Sequence, residues 1–276
     1  MDDILSHLNF LSQSDFVFAR NVYPEIPNQG EVTQVINTNL TVNDNDVIFS
    51  KYEFVPKLFE VLRSQNCDKK LILISHESDA GVDENFFRSK PECIFKWYAQ
   101  NVEYDHEDLI PIPLGVACDY YKFHSLTLSH IKKTTEESNK DKLLYINHRI
   151  STHPSSREWI YNYFTTNNWC TVDHPNLSLD EYRKKLNSHK FILCPRGNGV
   201  DTIRLWESLY CGIIPIVEKH IHYTKCLVDL PVVIVDSFEE ITEEFLKNKL
   251  VEISNKDFNM EKLKVSWWIK LMKRSI

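Results

Sequence analysis

Within twelve residues the chain sets Arg196, Gly197, Asn198, Gly199, Asp201, Thr202, Arg204 and Glu207. Guanidinium forks match phosphate oxygens, and glycines let backbone come close to a ligand. A helix that starts at Asp201 or Thr202, with one of them as its cap, turns free N–H groups and a positive dipole end toward an anion. The chain has only six glycines, yet Gly197, Gly199 and Gly212 fall in this one segment. That concentration marks backbone needing unusual dihedrals or close approach. The spacing of three puts Arg204 and Glu207 on one helix face, with Ser208 and Cys211. Ile203, Trp206 and Tyr210 share the opposite, packing side. The segment is no Walker A, since no Gly-Lys-Ser/Thr follows. Nor is it the dinucleotide fingerprint, which fails at Thr202. Held anion chemistry is the reading these residues support.

Positioning them requires a strand, a loop, a helix and a strand. Phe191–Cys194 is an apolar strand that Pro195 stops, at the edge where α/β folds bind ligands. Thr202–Cys211 reads as the helix, Gly212 as its C-terminal cap, and Ile213–Val217 as the next strand. The same alternation surrounds it. Strands are expected at Leu143–Ile146, Cys170–Val172 and Val232–Val235, and helices at Ser155–Phe164, Ser178–Leu186 and Ile241–Leu250. Ser178 with Glu181 forms a capping box. This is doubly wound α/β patterning.

The N-terminal half gives strand-like runs at Phe16–Phe18, Val47–Phe49, Leu71–Ile74, Ile94–Phe95 and Leu109–Ile112. Between the second and third a helical period runs through Phe54, Leu58, Phe59 and Leu62. Phe258–Lys273 is helix-like. The polar stretch Ser129–Asp141 reads as a linker. The expected domains are therefore residues 1–130, residues 142–255, and a terminal helix, 256–276, returning to the first domain.

A net charge of -7 argues against broad nucleic-acid or anionic-membrane binding. The seven cysteines lack C-x-x-C spacing and sit mostly in apolar runs, so reduced, buried thiols are expected rather than disulfides or a zinc site. Met1-Asp2-Asp3-Ile4 has no basic n-region and no long apolar run follows, so neither signal peptide nor membrane span is expected, and the location expected is cytoplasmic. No metal site is expected. Asp44-Asn45-Asp46 precedes a strand and reads as a turn. His220 and His222 read as a solvated loop.

The run Cys194-Pro195-Arg196-Gly197-Asn198-Gly199, with Asp201-Thr202, Arg204, Trp206-Glu207-Ser208-Leu209-Tyr210, Gly212 and Ile214-Pro215-Ile216-Val217, resembles the signature of exostosin-like glycosyltransferases. Ser75–Asp79, Pro111–Gly115, and Leu144–Asn147 followed by Arg157 are similar to that family too, so the resemblance spans Leu71 to Val217. It implies a GT-B type α/β architecture, two Rossmann-like domains facing a central cleft, with the donor on the C-terminal one. It also implies a UDP-sugar donor, a glycan hydroxyl as acceptor, inversion at the anomeric carbon, and no cofactor or essential metal. Xylose is preferred over glucuronate, galactose and N-acetylglucosamine. Eukaryotic members carry an anchor and a disulfide-rich domain. This chain is more similar to compact members from bacteria and large algal viruses; for a viral member the location would be the host cytoplasm.

Transfer needs a stabilised leaving diphosphate and a deprotonated acceptor. Arg196, Arg204 and the backbone of Gly197, Asn198 and Gly199 are assigned to the diphosphate. The resemblance gives Glu207 the ribose hydroxyls. Asn147 and Arg157 are placed in the same pocket, Arg157 alternatively as a solvated helix residue, and Thr171 and Asp173 beside the nucleobase. The general base is expected among Asp79, Glu77 and His76, with Asp79 favoured. A catalytically inactive sugar-nucleotide-binding protein and another nucleotide-dependent transferase are the competing readings.

Overall fold

The computed structural model describes residues 3–19, 40–117 and 140–274. The linker assigned to Ser129–Asp141 falls almost wholly outside these residues. In the N-terminal part, apolar runs become β1 (Phe16–Phe18), β2 (Val47–Lys51), β3 (Leu71–His76), β4 (Ile94–Ala99) and β5 (Leu109–Pro111). They form one sheet in sequential order β1-β2-β3-β4-β5, every neighbouring pair parallel. Helices α1 (His7–Ser12), α2 (Val55–Ser64) and α3 (Glu84–Arg88) accompany it. The helical period read from sequence is the core face of α2, where Val55, Leu58, Phe59, Val61 and Leu62 are buried with Ile48, Leu71, Leu73 and Trp97. Phe59 and Phe86 meet the Trp97 ring edge-on at 5.4 and 5.1 Å, and its indole N–H is satisfied by Ser75 Oγ at 2.8 Å. β2 and β3 run past their apolar stretches to Lys51 and His76, register partners that are both buried.

The C-terminal part contains β6 (Lys142–Ile146), β7 (Cys170–Val172), β8 (His189–Leu193), β9 (Ile214–Glu218) and β10 (Val233–Val235). With them come α4 (Pro154–Phe164), α5 (Leu179–Asn187), α6 (Ile203–Tyr210), α7 (Ile221–Cys226) and α8 (Glu243–Ser254). The sheet is wholly parallel in the order β10-β9-β8-β6-β7. Numbered within the unit that is 2-1-3-4-5, a doubly wound order whose direction reverses between β6 and β8. The expected capping box forms, with Ser178 and Glu181 each accepting the other's backbone N–H. Gly212 stands at φ +64°. Its N–H reaches Leu209 O at 3.0 Å and that of Ile213 reaches Ser208 O at 2.8 Å, a Schellman end to α6.

The chain divides into two units, Met1–Leu114 with Lys262–Ile276, and Gly115–Glu261. The final helix, α9 (Val265–Arg274), belongs to the first, where the Ser266 N–H donates to Asp3 Oδ1 at 2.9 Å. The six described cysteines are free thiols. No described helix is long and apolar enough to cross a membrane.

Candidate functional site

The strand order reverses between β6 and β8, the position where doubly wound sheets take ligands. Asn147 and His148 follow β6, while Pro195 and Arg196 follow β8. The loop after β8 is braced from beneath by Arg157 of α4. Its Nε donates to Arg196 O at 2.8 Å, Nη1 to Arg149 O at 2.9 Å and Nη2 to Pro195 O at 3.1 Å. A Cβ on Gly197 would lie 3.4 Å from that Nη2. Arg157 is 4% exposed, so the solvated alternative for it does not hold. It is not solvated, and three of its donors are spent on backbone carbonyls rather than presented to a ligand. Burial, then Arg204, brings its pKa down to about 10.

The loop itself is left open. Among the described residues, the backbone N–H groups of Arg196 to Val200 donate to no acceptor. Gly197 and Gly199 are buried but do not adopt positive φ; the left-handed glycine of the segment is Gly212. Arg196 is half-buried, with Nη2 on Asn198 O at 3.2 Å and Nε buried without a described partner. Asn198 is exposed.

Asp201 does not cap α6. The N-cap is Thr202, which makes no side-chain cap bond, and its Oγ1 is buried and unpartnered among described residues. The Asp201 carboxylate is instead buried and engaged. It accepts from Thr202 N–H at 2.8 Å and Trp206 Nε1 at 3.0 and 2.9 Å, with His222 Nε2 3.5 Å away. It braces the loop onto α6 and α7, and a carboxylate so committed is unsuited to holding a nucleotide. His222 is wholly buried and His220 accepts its N–H at 3.2 Å as the cap of α7. The pair is thus part of this scaffold rather than a solvated loop.

Arg204 lies in the first turn of α6, half-buried, its Nε buried without a described partner. Burial opposes its charge, but Tyr182, Cys194 and Glu207 around it outweigh that and raise its pKa. Glu207 is buried on the same face, receiving the Tyr182 hydroxyl at 3.5 Å. Asn147 is buried with Nδ2 on His174 O at 3.2 Å. Thr171 does not stand open to a base, because its hydroxyl donates to His189 Nε2 at 2.7 Å. Asp173 pairs with Lys185 at 3.2 Å. His148, Tyr182 and Tyr161 line the same cluster but carry no spacing signature. The adjacency of His148 to Asn147 at a strand end was the one available sign.

Burial, then Arg204, lowers His148 to a pKa of about 3; burial takes His189 to about 4. Both are neutral when folded, whereas an unfolded histidine takes a proton below about 6.5. The unfolded chain therefore binds more protons as pH falls from 6.5 to 4, and stability is expected to drop by about 1.4 kcal/mol per pH unit for each histidine. Denaturant midpoints measured from pH 7.5 to 4.5 check this; a flat profile would contradict it.

On the N-terminal unit the expected base residues follow β3. His76 is buried with both nitrogens used: Nε2–H donates to Pro113 O at 3.0 Å and Nδ1 accepts the Glu77 N–H at 2.9 Å. It has no free lone pair and is removed as a base. Glu77 accepts a hydrogen bond from His7 Nε2 at 3.2 Å and holds an ion pair to Lys51 at 3.1 Å. Asp79 is exposed on a turn. Asp44-Asn45-Asp46 is the expected turn, with Asn45 at φ 73°. Among the described residues no three His, Cys, Asp or Glu side chains cluster to hold a metal.

A family model described as the RXYLT1 C-terminal domain matches residues 128–275. The chain belongs to that family. The RXYLT1 C-terminal domain is an exostosin-like glycosyltransferase domain, and this RXYLT1-type chain is built of two α/β units, each on a parallel sheet. The match covers the whole cluster around the loop after β8; Ser75–Asp79 and Pro111–Gly115 lie before it. Two solved structures are similar. One, "OtsA apo structure", shows 10% identity and a TM-score of 0.39 over 84% of this chain and 74% of that one. The other, "Crystal structure of GtfA/B complex", shows 11% identity and a TM-score of 0.40 over 84% of this chain and 58% of that one. A comparison with curated proteins finds no match.

Proposed function

We propose that the chain is an inverting glycosyltransferase that moves a sugar, with xylose the preferred candidate, from a UDP-sugar to a hydroxyl of a glycan acceptor. The observation that carries this is the loop–helix junction after β8. Consecutive backbone N–H groups from Arg196 to Val200 lack acceptors among described residues. Two arginines there keep buried, unmatched Nε donors, and the N-cap of α6 supplies no side chain to its own helix. Buried donors without acceptors cost about 1–3 kcal/mol each, and a bound diphosphate would satisfy them together. Arg196, Arg204 and the loop N–H groups would stabilise the charge that develops on the leaving group. Glu207 receives the ribose hydroxyls and Asn147 borders the same pocket. The free thiols support a reducing, cytoplasmic location.

The test is a panel of UDP-xylose, UDP-glucuronate, UDP-galactose and UDP-N-acetylglucosamine, read by thermal stabilisation and by slow release of UDP. Stabilisation and release with one donor are expected. Stabilisation without release from any donor would favour a binding protein, and neither signal would overturn the proposal.

A further inference from the structure

Two thiols meet at the amino edge of the N-terminal sheet. Cys67 lies on the turn between α2 and β3, and Cys93 immediately precedes β4. The Cys93 carbonyl accepts the Leu71 N–H at 2.7 Å, and Leu71 pairs with Ile94 in the β3–β4 register. The end of α2 fixes the other thiol. Asn66 is left-handed at φ 48°, and the Cys67 N–H donates to Leu62 O at 3.0 Å, the bond that closes a Schellman end. Both residues belong to one packed cluster, Cys93 buried within it and Cys67 half-buried against it.

Cys67 and Cys93 line one groove of about 360 Å³ with Arg63, Lys90 and Glu92. The two sulfurs are within hydrogen-bonding reach of each other. Arg63 is exposed and donates to Ser89 O, while Lys90 is half-buried with Nζ on Ile94 O at 2.5 Å. Glu92, also exposed, is the acidic member of the lining. Two cations against one carboxylate favour an anionic reagent in the groove. Burial, then the charge of a Cys67 thiolate, pushes the Cys93 thiol up, so Cys93 stays protonated and inert beside a free Cys67. A thiol that solutes can reach, with a second thiol sealed against it, is the arrangement of an attacking and a resolving cysteine.

We propose that Cys67 and Cys93 form a redox-modification site, closed to an internal disulfide by a small anionic disulfide such as oxidised glutathione. The Cys67 thiolate, its proton given to water, attacks one sulfur of the reagent. That S–S bond breaks, and the first half leaves as a thiolate that takes up a proton. Cys93 then loses its proton to water and attacks the Cys67 sulfur of the mixed disulfide, whose bond to the second half breaks. Two protein thiols are oxidised, and one small disulfide is reduced to two thiols. Once Cys67 is in the mixed disulfide it carries no charge, which removes one of the influences that keep Cys93 protonated. The new bond ties the end of α2 to the head of β4. In a reducing compartment the pair rests as thiols and closes on oxidation. Both cysteines lie in the first unit, so the proposal does not depend on glycosyl transfer.

The test incubates the full, reduced chain with oxidised glutathione and maps its peptides by mass spectrometry without reduction. A peptide joining Cys67 to Cys93 is expected, with the loss of two of the seven titratable thiols. The unfolding temperature is expected to rise by roughly 5–10 °C, the effect of one cross-link on a chain of this size, and to return with dithiothreitol. Cys93→Ser is expected to stop at the mixed disulfide, with one glutathione on Cys67, and Cys67→Ser to leave Cys93 unmodified. A wild-type chain that yields no Cys67–Cys93 peptide overturns the proposal. So does one in which Cys67 bridges only to a second copy of the chain. Modification of Cys93 in Cys67→Ser at the wild-type rate overturns the assigned order of attack. If Cys93→Ser fails to fold, the wild-type map and Cys67→Ser decide the same questions.

Discussion

Arg204→Ala is expected to weaken UDP binding by roughly 10- to 100-fold, the loss of a charge-assisted contact of about 1.5–3 kcal/mol. Arg204 stands at the centre of the cluster. It depresses His148 and Arg157, and Glu207 on the same helix face favours its charge. Its Nε is buried with no described acceptor, so alanine would remove a donor that the protein does not use for its own packing. Arg204→Lys keeps the charge but loses the planar fork, and an intermediate affinity is expected. Arg196→Ala should weaken binding in the same direction, by less, since one of its Nη groups already engages Asn198 O. Isothermal calorimetry with UDP measures all three. Affinity unchanged in Arg204→Ala would remove the diphosphate role.

The second large effect is on stability. Asp201→Ala deletes the acceptor of both the Trp206 indole N–H and the Thr202 backbone N–H, all of them buried, and takes the carboxylate away from His222. Breaking a buried polar network by removing its anionic member costs about 3–5 kcal/mol. The denaturant midpoint should fall accordingly. UDP affinity should fall with it, because Asp201 ties the open loop to α6 while Tyr223 of α7 holds Val200 O at 2.5 Å. Asp201→Asn preserves one acceptor oxygen and should lose less. An alanine variant with the wild-type midpoint would show that the brace is not structural.

These predictions separate residues that looked equivalent in sequence. Arg157, Arg196 and Arg204 are three arginines near one loop, yet Arg157 spends its donors on the backbone carbonyls of residues 149, 195 and 196. Asp201 and Glu207 are two carboxylates on one helix start, yet only Asp201 is consumed by an indole. Helix periodicity gives the direction of a side chain; it does not say which group from another element meets it there. Asp79 and Glu77 were likewise indistinguishable by spacing, because His7 and Lys51 approach Glu77 from α1 and β2, far away in the chain.

What the sequence determined by itself was whatever depends on neighbours along the chain. Strand period, the α2 core stripe, the Ser178–Glu181 capping box, the Gly212 helix end and the strand–loop–helix unit after β8 all rest on local backbone sterics and side-chain alternation, which a few residues specify. The short helices α1 and α7 were not legible, being too short to show a period. The tertiary structure alone decided the strand order that reverses between β6 and β8, the bracing roles of Arg157 and Asp201, and the His7–Glu77–Lys51 cluster. Each of these joins groups brought together only when parallel strands pair through crossover connections, and no local spacing encodes that pairing.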